Sequence, residues 1–349
     1  MKKTVLGLLF FMVSSFSPSP HLWAQTDPFF KGKTIRILVG FATGGVMDLW
    51  ARLIAQHVGK HIPGNPTVIV QIMPGAGSMI AANYVYNVAK PDGLTLALIF
   101  PSLYFDQLLG SKEVKFDWVK FSWIGSPERT KELFFIRSDT PYKTFEDLQK
   151  AQEPPRCGSS GAGRGASTYY VPKLLEEAFG TKFHMVLGYQ GISDIDLAIQ
   201  KGEVHCRAGS VLGLIGREPG RTWIKTGFVR ILTQSGSSRD SRIADVPTIE
   251  ELMNKYKTPE NIRQLAKILL SGNDVGRPFV GTPGIPSDRV QILREGLMKT
   301  VSDPELVAEA KRRIWDVTPA SGEELEGVAR EVITQPPAVI EQLKRLLGS

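Results

Sequence analysis

Cysteine is almost missing from this chain: 349 residues hold two, Cys157 and Cys206. That scarcity excludes a disulfide-stapled scaffold, and no His or Cys pair has metal-ligand spacing, so no metal is expected. One bridge between the two in an oxidising compartment, or two buried free thiols, both remain open. Histidine is scarce as well. His57, His61, His184 and His205 show no partner spacing for acid–base work and read as surface or packing residues. No G-x-S-x-G, H-E-x-x-H or C-x-x-C occurs, which removes the common hydrolase, metalloprotease and dithiol signatures and argues against an enzyme. A phosphate-binding G-x-x-x-x-G-K-[ST] is missing too, and no cofactor is expected. No stretch beyond the N-terminus is long and apolar enough to span a bilayer. Basic residues do not cluster with interleaved aromatics, so nucleic acid is not an expected partner.

What is present begins with a leader. Lys2 and Lys3 precede an apolar stretch over residues 6–16, and Ala24 offers a cleavage point. The apolar stretch is too short for an anchor, and Ser14, Ser15, Pro18 and Pro20 interrupt it. Residues 1–25 therefore read as a signal peptide, and the mature chain as soluble and exported. Losing Lys2 and Lys3 lowers the net charge from +7 to +5. A chain of this length implies two domains of roughly 150 residues each.

Residues 34–52, TIRILVGFATGGVMDLWAR, organise the rest. Ile35, Ile37 and Val39 alternate with Arg36 and Leu38, the pattern of a half-buried strand. Gly44 and Gly45 make a tight turn, and helical spacing resumes from Asp48 through Leu49, Leu53 and Ile54. Such a turn delivers a helix N-terminus, with its unpaired N–H groups, to the carboxyl edge of a strand, which is a place for an anion. The alternative is a glycine turn that binds nothing. The unit then repeats: a strand over residues 67–73, the small-residue turn Pro74, Gly75, Ala76, Gly77 and Ser78, a helix over 79–89, and a third strand over 94–100. Strands alternating with helices imply right-handed crossovers and a parallel sheet with its ligand loops along one edge.

A second glycine-rich turn, RCGSSGAGRGAST over residues 156–168, again lies between a strand and a helical stretch, 169–179. Strands follow at 184–189, 204–208 and 228–234, helices at 192–200 and 249–255, a last strand and loop at 277–283, and helical stretches at 285–302, 304–313 and 323–332.

These pieces, in this order, resemble the tripartite tricarboxylate transporter substrate-binding proteins, the Bug family, from about residue 33 to about residue 324. The resemblance rests on GFATGGVMDLWAR at residues 40–52, PGAGS at 74–78, PDG at 91–93, GSSGAG at 158–163, YQG at 189–191, GEV at 202–204 and DVPTIE at 245–250. It implies an α/β, two-domain periplasmic-binding-protein fold, each domain a mostly parallel sheet flanked by helices. Residues 27–125 plus 277–349 would form a first domain anchoring a carboxylate, and 126–276 a second setting specificity, closing on the ligand like a clam. Carried over by position, the ligand residues are Phe41, Ala42, Gly44, Gly45, Asp48, Gly75, Ala76 and Ser78, then Ser160, Gly161, Gly163, Tyr189 and Gly191. Asp48 serves equally well as a cap of its own helix. Gly40 stands where the family has proline, and Arg164 where it has a small residue, which points to a second anionic group on the ligand. The implied partners are a small carboxylate and a membrane permease, or a sensor kinase. An exported enzyme using the same cleft is the alternative function.

Overall fold

The computed structural model describes residues 28–160 and 164–348; the expected leader, Gly161 and Gly163 lie outside the described residues. Strand β1 (Thr34–Val39) pairs in parallel with β2 (Thr67–Ile72) and β3 (Thr95–Leu98). Helices α1 (Val46–Val58) and α2 (Met79–Asn87) make the crossovers, and α3 (Tyr104–Leu108) follows β3. Alternation decides which face each residue takes: Ile35, Ile37 and Val39 pack under Leu53 and Ile54 of α1, while Leu38 faces the other core. Strand β4 (Ser122–Ser126) then leads out of this sheet.

Residues 127–131 carry the chain into a second sheet, at β5 (Glu132–Arg137). After α4 (Phe145–Gln149) come β6 (Arg156–Ser160), α5 (Ser167–Phe179), β7 (His184–Tyr189), α6 (Ile192–Lys201) and β8 (Cys206–Ser210). Short helices α7 (Val211–Ile215) and α8 (Gly220–Thr226) precede β9 (Val229–Gln234), and α9 (Ile249–Lys255) and α10 (Glu260–Val275) end the excursion. The chain returns through β10 (Phe279–Gly281), α11 (Ser287–Val301), α12 (Pro304–Arg312), β11 (Ala320–Ser321), α13 (Gly322–Ile333) and α14 (Pro337–Leu347). The sheet orders are β11-β4-β10-β3-β1-β2 and β7-β6-β8-β5-β9.

Both sheets are mixed, which corrects the expectation of mostly parallel ones. Strand β10 runs against β3 and β4, β11 against β4, and β5 against β8 and β9. The reason is the crossing. Ser126 ends β4 and Glu132 begins β5, so a few residues must join the two sheets, and an extended residue reaches only about 3.5 Å. Strand β4, which runs with β1–β3, therefore leaves at their carboxyl edge, while β5 and β10 enter at the carboxyl edges of β6–β8 and of β1–β3 and run against them. The two ligand edges are thereby brought face to face.

One apolar core lines a face of both sheets and holds α2, α5, α10, α13 and α14; two others back the opposite faces. Helix α14 packs on α10 and α5, through Val339, Leu343 and Leu347, and Gln342 donates to Glu177 at 3.1 Å. Its end thus lies against the second sheet's helices, although the sequence groups it with the first domain. Cys157 and Cys206 are register partners on β6 and β8, both buried and free.

Candidate functional site

At the first edge, the β1–α1 loop carries Phe41, Ala42, Gly44 and Gly45. The last three are exposed, and Phe41 lies edge-on to Phe100 with ring centroids 5.7 Å apart. Asp48 is 1% exposed. It accepts the Gly44 N–H at 2.8 Å and pairs with Arg52, also at 2.8 Å. Its carboxylate therefore shapes the turn from within: it holds the loop N–H just ahead of the helix and caps none of the helix's own N–H groups. Gly45 is the residue before α1, and no side chain among the described residues caps that helix, so the positive end of its dipole is turned outward.

The neighbouring loop takes an unusual backbone. Gly75, Ala76, Gly77 and Ser78 all have positive φ, and Ala76 and Ser78 do so without being glycine. Strain of this kind persists where surrounding contacts over-determine it. Ser78 is buried and its Oγ accepts the Phe100 N–H at 2.9 Å, tying the second loop to the third. Gly40 is explained by the same residue: a Cβ there would lie 2.4 Å from Ser78 Cβ, so the family's proline has no room.

At the second edge, Thr168 gathers the β6–α5 turn. Its Oγ1 accepts the Ser160 N–H at 3.2 Å and meets Ser159 Oγ at 3.2 Å. Helix α5 begins after Ala166, again with no capping side chain among the described residues. Tyr189 is half-buried at the end of β7, and the Gly191 N–H is already taken by Asp194 at 3.2 Å. Arg164 is exposed. Its guanidinium lies beside Gly348 at the end of α14 and within reach of Asp106 of α3, whose carboxyl is raised by burial and pulled down by Arg164.

Two chains of contacts join the loops across the gap. In one, Phe41 meets Phe100, and Gly165 lies against both Phe100 and Ser102, whose hydroxyl donates to the Gly165 carbonyl at 2.9 Å. In the other, Arg277 Nη1 lies 3.3 Å from Met47 Sδ in the first turn of α1, while Arg277 Nε grips Glu128 at 2.6 Å. Arg277 and Glu128 stand one on each crossing. Beside them Glu132 faces Ser167, in the first turn of α5. The N-terminal turns of α1 and α5 are thus linked from both sides. The sequence reading found the glycine loops but missed Glu128, Glu132 and Arg277.

A cavity of about 520 Å³ lies at the crossings, lined in part by Arg129, Lys131, Ser210, Arg242, Lys267 and Asn273. None of the sequence-derived ligand residues lines it. Its cations are largely engaged: Arg242 by Asp240 and Asp316, Lys267 by Glu331, Arg129 by Glu324. Acidic residues line it as well, among them Glu250 and Asp274. It therefore offers a carboxylate less than the two open helix ends do. Far from both, His61 meets Asp303 at 2.8 Å, and Lys60 fills the space between Asp303 and Glu305, leaving the neighbouring His57 no open cation site.

A family model described as the tripartite tricarboxylate transporter family receptor matches residues 50–343. A UPF0065 protein of Cupriavidus necator is 27% identical over 232 residues, covering 66% of this chain and 67% of its own. A second UPF0065 protein, from Agrobacterium vitis, is 30% identical over 240 residues, 65% of this chain and 64% of its own length. Among solved structures, a TctC solute binding protein from Polaromonas superposes with a TM-score of 0.66 at 22% identity, over 90% of this chain and 97% of that one. MatC from Rhodopseudomonas palustris, solved with bound malate, gives 0.61 at 20% identity, over 90% and 99%.

Proposed function

Since the chain belongs to the tripartite tricarboxylate transporter family of receptors, we propose that it is a periplasmic solute-binding protein. It captures a small organic carboxylate between the two sheets and delivers it to a membrane permease. The observation that carries this reading is the pair of uncapped helix ends, α1 and α5, joined from both sides across the crossings. An anion between them would meet two positive dipole ends and backbone donors from each unit. In this reading Phe41, Ala42 and Gly45, with Gly75 and Ala76, hold one carboxylate, and buried Ser78 fixes the loop that presents them. Ser160, Tyr189 and Gly191 face its far end, and the sequence assigns Gly161 and Gly163 to the same group. Gly44 and Asp48 act by holding the turn in shape. The chain divides near residues 126 and 277, so that residues 127–131 and 276–278 form the hinge about which the units close. Malate in MatC makes a dicarboxylate a sensible first probe.

Native mass spectrometry of protein taken from the periplasm tests this. A co-purified acid that leaves unchanged supports a receptor; turnover of that acid would favour the alternative, an exported enzyme. Small-angle scattering with saturating succinate, glutarate or adipate should show a smaller radius of gyration if the units close.

A further inference from the structure

Glu132 has no part in the reading above, yet it is 9% exposed and its Oε2 has no hydrogen-bond partner among the described residues. A buried carboxylate oxygen without a partner is costly, and its presence calls for an explanation. Glu132 opens β5 directly after the crossing, on the face of the sheet that carries Phe134 and Ile136, and so it looks toward α5. The groups around it come from several elements. Helix α5 supplies the Ser167 hydroxyl and the Tyr170 phenol. The second crossing supplies Arg277, already gripped by Glu128, and β8 supplies Arg207, already paired with Asp196 at 2.7 Å. Its own N–H donates to Ser235 Oγ, which also takes the Asn273 amide. Each guanidinium is thus balanced by another carboxylate. Burial dominates and pushes the Glu132 carboxyl up to about 7, against the pull of Ser167, Arg277 and Arg207.

We propose that Glu132 and the first turn of α5 form a proton-sharing subsite for the second carboxyl group of a dicarboxylate. Glu132 donates its O–H to the ligand oxygen, while the ligand accepts backbone N–H groups of α5. The inference rests on the carboxylate reading given above. Two ionised carboxylates cannot share so dry a place, whereas an acid and a carboxylate make a short, strong hydrogen bond. The helix end selects the anion to be the ligand and leaves the proton with Glu132. Binding then takes up as much as one proton from solvent wherever free Glu132 is ionised. A ligand presenting an ammonium group at this point would do the opposite and release one.

Calorimetry with succinate, glutarate, adipate and the monocarboxylate butyrate, in buffers of different ionisation heat, tests this. Dicarboxylate affinity should be flat below about pH 7 and fall about tenfold per pH unit above it, with proton uptake approaching one at pH 8. Butyrate should show no uptake. Glu132→Gln keeps a donor but cannot titrate, so its dicarboxylate affinity should be flat with pH. The wild-type proton inventory decides the matter even if that variant folds poorly. Binding of a dicarboxylate without uptake, or with release, overturns the Glu132 proposal alone. No binding of any probe at pH 6 or 8 overturns the carboxylate reading, and this proposal with it.

Discussion

Removing the Arg277 guanidinium should be among the more damaging single changes in this protein. Glu128 is 3% exposed and Arg277 8%, and they meet at 2.6 Å where the chain crosses between sheets. In Arg277→Met the methionine can fill the space, but Glu128 stays buried and loses its counter-charge. Stranding one member of a buried pair costs about 3–5 kcal/mol, mostly desolvation of the survivor. The backbone bonds at the same place, Arg277 N–H to Ser126 Oγ and Ser126 Oγ–H to the Glu128 carbonyl, survive the substitution and set no part of that loss. Adding Glu128→Gln removes the stranded charge. The double variant should therefore recover at least about 2 kcal/mol relative to the sum of the singles, within the coupling range of contacting residues. Urea unfolding followed by tryptophan fluorescence reads this directly, since Trp118 and Trp123 are buried close to β4. A loss below about 1 kcal/mol for Arg277→Met, or strict additivity in the double variant, would refute the argument.

Other outcomes follow from the same geometry. Glu132 has a folded-state carboxyl raised to about 7 from an ordinary 4.5, so the stability linked to its protonation is whole below about pH 4.5 and lost as pH rises through 7. The loss should reach about 3 kcal/mol by pH 8, and Glu132→Gln should abolish it; melts of both proteins across this range would show a pH-independent difference if the reasoning were wrong. A thiol titration of the unfolded, unreduced chain should count two free thiols, whereas a count of zero would mean that β6 and β8 are bridged at Cys157 and Cys206. Arg164→Ala should weaken mono- and dicarboxylates alike by under about 1 kcal/mol, as expected for an exposed charge. A selective loss for dicarboxylates would return Arg164 to the gripping role read from the sequence.

Where local chemistry was strong, the sequence was enough. HMVLGY marks β7 to the residue, and Thr248 with Glu251 forms the capping box that starts α9. Helix α10 went unread. It follows Pro259 without a capping side chain, and its last turns hold Ser271, Gly272 and Asn273, letters that read as loop. They are buried because the crossings lie over them: the Asn273 carbonyl accepts the Thr130 N–H, and its amide reaches Ser235. Strand β8 sits two residues later than its apolar letters indicate, since its register is dictated by Glu132 and Leu133 opposite Ser210 and Gly209. The glycine loops were visible because close turns demand small residues. Glu128, Glu132 and Arg277 were not, since their meeting depends on two crossings far apart in the chain. The local hint was a carboxylate heading β5 just before four apolar residues.

Strand β10 lies between β4 and β3, with Phe279 opposite both Leu98 and Gly125. During synthesis, β3 and β4 emerge early but cannot be joined into one sheet until residue 279 arrives, after the whole second sheet. The first sheet therefore waits with a gap in its middle. Long-range pairings of this sort are slow, because loop closure precedes any gain from the contact. For a chain that would be threaded through a membrane before it folds, the delay is an asset. Completion of the first sheet is deferred by its own strand order until most of the chain is present.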